Sequence, residues 1–155
     1  MKFADVISGI AARLGLGRAP APSADGTVAF RFADVEIRLT PIENEQFISM
    51  ETDVCHLPSA GAAPFMAELL HYNARAVPAE GGAFALDAEG KVFVRQIFSL
   101  ALVDAAMFCK YLPEHLGHVN SWRMAALREE RNHAKNLTTH ELPAEHGEDL
   151  AIFLP

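Results

Sequence analysis

The chain has 155 residues, half of them hydrophobic and 21% charged, with a formal net charge of -7. That length suits one domain with a core large enough to need no staples. The acidic balance repels polyphosphate backbones and no Lys/Arg run builds a locally basic face, so no nucleic acid is expected as a partner.

Residues 2–16 read as an amphipathic helix, with Phe3, Val6, Ile7, Ile10 and Leu14 at helical spacing. Asp5 and Arg13 interrupt the apolar stretch, which therefore does not read as a signal peptide. Gly15, Gly17, Pro20 and Pro22 end it. Three strands follow. Val28, Phe30 and Phe32 alternate with outward residues, Ala33-Asp34 reverses the chain, and Val35, Ile37 and Leu39 alternate with Glu36 and Arg38. After the Glu43-Asn44-Glu45 turn, Ile48, Met50, Thr52 and Val54 keep the period of two. Each strand is expected to bury one face.

Pro58 to Gly61 breaks the sheet, and Pro64 suits the first turn of a second helix. Phe65, Met66, Leu69, Leu70 and Tyr72 make that helix apolar over more than half its circumference. Such a helix is either sandwiched in its own core or covered by a partner. Gly81-Gly82 opens a hairpin, with strands at 83–86 and 92–98 joined by Asp87-Ala88-Glu89-Gly90. A long helix is expected over residues 102–127, with Phe108, Tyr111, Leu112, His115, Val119 and Trp122 on one stripe. Pro113 and Gly117 predict a kink or break in it. Residues 128–149 are charged and carry His133, His140 and His146; they are expected to be mobile unless held. Residues 150–155 turn apolar again and either dock on their own domain or reach a neighbouring chain.

The expected fold is therefore α+β, an antiparallel sheet of about five strands flanked by three helices in the order α-β-β-β-α-β-β-α. Residues 1–127 form the domain, and 128–155 a charged extension with an apolar end. No apolar run reaches membrane-spanning length, so no stable membrane insertion is expected.

Reactive chemistry is sparse. Cys55 and Cys109 form no zinc spacing and no CxxC, and read as reduced thiols. Cys55 and His56 are strand neighbours pointing to opposite faces. His115 and His118 share a helix face, but no third ligand stands near them in sequence, so no metal site is assigned. There is no GxSxG elbow and no phosphate-binding loop. No catalytic residue, metal or cofactor is expected, and the chain reads as a protein-binding domain.

Three stretches carry a resemblance. "DGTVAFRFADVEIRLT" turns an aromatic strand end directly into a second alternating strand. "FMAELLHYNARAVPAEGGAFALDAEGKVFVRQ" holds Leu69, Leu70 and Asn73 ahead of a glycine, "ALD" and a Glu-Gly-Lys turn. "LALVDAAMFCKYLPEHLGHVNSWRMAAL" is a long helix with Leu102, Phe108, Leu112 and a late Trp122. In order and spacing they resemble the class I type III secretion chaperones of bacteria, the Tir-chaperone (CesT-like) family. The resemblance implies a homodimer in the bacterial cytoplasm that holds the N-terminal region of a secreted effector as an extended chain, keeping it soluble and export-competent. It places the dimer interface on helix two, where Met66, Leu69 and Leu70 are the candidates. It places the effector on helix one and the sheet, where Phe3, Ile7, Ile10, Val28, Phe30, Val35 and Ile37 are the candidates. Two rivals stand beside it: a YbjN-like regulatory domain of the same fold, and a small histidine-dependent metal protein or enzyme.

Overall fold

The computed structural model describes residues 2–59, 61–75 and 82–140, the last five as backbone only. Gly81, His146 and the apolar end at 150–155 lie outside the described residues. The elements are α1 (Phe3–Arg13), β1 (Val28–Phe32), β2 (Val35–Ile42), β3 (Phe47–His56), α2 (Ala62–Arg75), β4 (Ala83–Leu86), β5 (Lys91–Ser99) and α3 (Ala105–His140). The strands form one antiparallel sheet in the order β1-β2-β3-β5-β4, so β1 and β4 are its edges. The expected α+β order holds.

Alternation sets the two faces of the sheet. Val28, Phe30, Ile37, Leu39, Ile48, Met50, Val92 and Val94 point inward and are buried. Phe3, Val6, Ile7 and Ile10 of α1 and Phe108, Leu112 and Val119 of α3 are buried with them in one cluster. The other face carries Arg31, Glu36, Arg38, Glu51, Asp53, Lys91 and Arg95 as a lattice of ion pairs. At its centre Arg38 forks onto both carboxylate oxygens of Asp53 at 2.6 and 2.9 Å. That hydrogen bonding, helped by Lys91, holds the Asp53 carboxyl down to about 2.

Tight turns are chosen by local chemistry. Ala33 takes φ 53° in the β1–β2 reversal. Glu43, Asn44 and Glu45 all take positive φ between β2 and β3. Glu45 then accepts from the backbone N–H of Phe3 at 3.4 Å, which meets one of the unpaired donors at the start of α1.

α3 differs from expectation in two ways. It begins at Ala105, so Leu102 sits in the preceding turn and not on the helix. It also runs without a break through Pro113 and on to His140, well past Leu127. A proline removes one helical hydrogen bond and crowds the preceding turn, at about 3 kcal/mol. Leu112, His115 and Val119 are buried against the sheet on either side of it and keep the axis continuous. Beyond Leu127 the sequence Arg128-Glu129-Glu130-Arg131 lacks an apolar stripe but is rich in strong helix formers.

Candidate functional site

No cluster of three or more His, Cys, Asp or Glu able to hold a metal ion occurs among the described residues. His115 and His118 are each committed elsewhere. His115 is buried with Nε2 2.8 Å from Oγ1 of Thr52, and burial pushes its proton affinity down to about 4. His118 accepts from the indole N–H of Trp122 at 2.9 Å. The Cys55 thiol is pushed up to about 11 by burial, which leaves it unreactive at neutral pH. Tyr111 is pushed up to about 12 by burial and donates its hydroxyl to Gln96.

Among the described residues Leu16, Met124 and Leu127 are also exposed, but in two places exposed apolar side chains gather beside an apolar opening. The first lies over α2 and β4. Leu70 is 63% exposed, and Met66 and Leu86 are exposed beside it. They rim a small apolar cleft of about 90 Å³ that is also lined by Leu57, Leu69 and Phe84. Helical spacing puts 66 and 70 on one face, and Leu69, 8% exposed, turns inward to the core. Of the three α2 candidates, two therefore face outward and one supports them from beneath. Asn73 fixes β4 against α2: its amide donates to the Phe84 carbonyl and its carbonyl accepts from the Phe84 N–H, both at 2.9 Å.

The second place lies where β5 meets α3. Ile97, Leu102 and Met107 are 55%, 76% and 56% exposed. A groove of about 390 Å³ runs among Gln96, Phe98, Leu102, Met107 and Tyr111. β4 pairs only with the Val92–Arg95 part of β5, so the Gln96–Ser99 end of that strand extends beyond its neighbour. Sequence reasoning missed this groove. The sequence places Leu102 on the long helix and Ile97 on the strand at 92–98; only the chain's turn at 100–104 brings the two together.

Phe3, Ile7, Ile10, Val28, Phe30, Val35 and Ile37 are all buried, none more than 8% exposed. They sit together in the core, α1 on one side and the inner face of β1 and β2 on the other. Their backbones differ in access, because β1 is an edge strand.

No helix among the described residues is long and apolar enough to cross a membrane. No curated protein shows a significant match to the sequence. Solved structures share the fold at low identity. A chain of the HopA1–SchA chaperone–effector complex matches with TM-score 0.64 at 12% identity, covering 79% of this chain and 93% of that one. A chain of the ExsC–ExsE complex matches with TM-score 0.62 at 19% identity, covering 80% and 96%. A chain from the Yersinia pestis type III secretion chaperone SycH, bound to a stable fragment of YscM2, matches with TM-score 0.62 at 16% identity, covering 76% and 96%. The model of the Tir chaperone protein (CesT) family matches residues 5–123, from the first turn of α1 to the middle of α3. That match spans most of the sequence, and the chain belongs to the Tir chaperone protein (CesT) family.

Proposed function

We propose that the protein is a cytoplasmic, homodimeric type III secretion chaperone that holds the N-terminal region of a secreted effector as an extended chain. The observation that carries this reading is the family match over residues 5–123 joined to two separate apolar openings. One opening suits a second copy of the chain and the other suits a client.

The α2/β4 face suits the second copy. Met66, Leu70 and Leu86 form a contiguous rim over a shallow cleft. A two-fold axis lets one patch cover itself, so a few exposed apolar residues on each chain suffice to start an interface. Leu69 contributes from below by keeping α2 seated.

The client reading rests on two surfaces. An extended chain adds to an open strand edge through its backbone and drops alternate side chains into apolar pockets. β1 offers an open edge, with Phe3, Ile7, Ile10, Val28, Phe30, Val35 and Ile37 as the apolar layer behind it. The groove at Ile97, Leu102 and Met107 offers a pocket. The ion-paired outer face of the sheet is already satisfied by its own partners and attracts neither. A structural neighbour solved as a chaperone–effector complex supports an effector as the partner. Holding a chain in this way keeps it soluble and unfolded for export, and requires no bond to be made or broken.

The test is a binding titration between the purified protein and peptides from a secreted effector that co-purifies with it from its native host. Binding of the N-terminal peptide, lost in Met107→Asp, supports the reading. Equal binding of peptides from the effector's other end, or none at all, contradicts it.

A further inference from the structure

Trp122 is the chain's single tryptophan. Its indole nitrogen has a hydrogen to give and no lone pair to offer, so the 2.9 Å contact with Nε2 of His118 has one direction. Nε2 must carry the lone pair, and the imidazole proton must sit on Nδ1. The neutral ring is required in one tautomer.

This pair lies where three elements meet. Tyr72 of α2 stands edge-on to His118 at 5.0 Å and to Trp122 at 5.8 Å. Phe84 of β4 lies 5.0 Å from Trp122 and 5.8 Å from His118. Phe65 of α2 completes the cluster at 6.0 Å from Trp122. β4 is a four-residue edge strand tied to α2 by Asn73. α2 and β4 thus form one leaf, hinged on the sheet where β4 pairs with β5, and this cluster joins the leaf to α3.

We infer that His118 is a proton-operated latch: the neutral imidazole, by accepting from Trp122, holds the α2/β4 leaf on α3, and protonation of Nε2 releases it. The added proton comes from solvent onto the Nε2 lone pair. The imidazolium then turns an N–H toward the indole N–H, so two donors face each other without an acceptor, and a charge enters an aromatic cluster. Of the groups around it, Glu114 one turn back on α3 favours the proton, and the neighbouring His115, held down to about 4 by burial, stays neutral over the same range. Tyr72 faces it from α2, and β4 presents the uncharged Phe84. Burial outweighs Glu114 and holds His118 below the ordinary histidine range. The leaf carries Met66, Leu70 and Leu86, so the latch would act on that face, but it does not depend on what covers the face.

The latch is tested on the full chain by proton NMR and tryptophan fluorescence between about pH 8 and pH 5. The expected result is that the His118 ring, the Trp122 indole N–H signal and the Phe84 amide all change with one shared midpoint below about 6.5. Trp122 emission falls over the same range, because an imidazolium quenches an adjacent indole. His118→Gln accepts through a carbonyl and does not titrate, so its emission stays flat, whereas His115→Gln keeps the transition. An indole signal whose midpoint differs from that of His118 in the wild-type protein overturns the proposal. So does a Phe84 amide that stays unchanged, or an emission change that persists in His118→Gln. The wild-type titration decides the matter even where His118→Gln folds poorly.

Discussion

Nε2 of His115 on α3 lies 2.8 Å from Oγ1 of Thr52 on β3, a polar contact in the middle of an apolar core. It is one of a ladder along the inner side of α3. Tyr111 donates to Gln96 of β5 one turn before it, and Arg123 donates to the Val54 and Asp53 carbonyls two turns after it. Apolar packing alone tolerates small slides of a helix over a sheet. These contacts accept only one register, and no described buried side-chain polar atom lacks a partner.

The His115 contact makes stability depend on pH. Its folded-state proton affinity falls from 6.5 to about 4 because of burial, so the unfolded chain binds the proton more readily. Stability is therefore full above about pH 6.5 and is lost as pH falls toward 4, by about 3 kcal/mol in all. Urea titrations at a series of pH values should show this slope, and His115→Gln should flatten most of it. An unchanged slope in that variant contradicts the assignment.

Arg123 serves as the far anchor. It reaches the Val54 carbonyl at 2.8 Å, the Asp53 carbonyl at 3.1 Å and the Asp34 carboxylate at 2.8 Å. The exposed Asp34 pair contributes little. Losing the bonds to the two carbonyls should cost about 1–3 kcal/mol. Arg123→Ala should lower the melting temperature, and Asp34→Ala should hardly change it.

α1 crosses α3 at Gly9. A Cβ added there would lie 2.7 Å from Cβ of Ala105, closer than real side chains approach. Alanine ordinarily favours a helix over glycine by about 1 kcal/mol. Here the overlap must push two packed helices apart, at about 1–3 kcal/mol. Gly9→Ala should therefore destabilise the protein, as read by its unfolding midpoint in urea. A stabilised variant contradicts the close crossing.

Leu69 and Leu70 are neighbours with opposite surroundings, 8% and 63% exposed. Leu69→Asp buries a carboxylate without a partner, costs several kcal/mol and should prevent folding. Leu70→Asp leaves the fold and its circular dichroism intact. In the proposed dimer it places two charges in the interface, so sedimentation should report a folded monomer. A Leu70→Asp protein that still sediments as a dimer removes α2 from the interface.

Much of the fold was legible in the sequence. Val28 to Leu39 alternate without a fault, and Gly90 and Pro64 mark their turn and helix start as chemistry requires. The length and continuity of α3 were not legible, because its outer half has no apolar stripe and Pro113 predicts a kink or break; helix propensity and packing on either side decide otherwise. Sites were harder to read than elements. Periodicity says which side of Phe30 or Ile37 is apolar, but the same pattern serves a core and an exposed binding face. In this chain Phe3, Ile7, Ile10, Val28, Phe30, Val35 and Ile37 are part of the core. The exposed groove at Ile97, Leu102 and Met107 joins a strand, a turn and a helix, and no local pattern encodes their meeting.

The central claim is that this fold holds an extended, secreted polypeptide. The most direct measurement is isothermal titration of the protein with a peptide from the first part of an effector that co-purifies with it, alongside backbone amide shifts. The expected result is saturable binding, with the largest shifts on the β1 edge and around Ile97, Leu102 and Met107. Absence of binding by the N-terminal peptide, or shifts confined to the ion-paired face of the sheet, would contradict it.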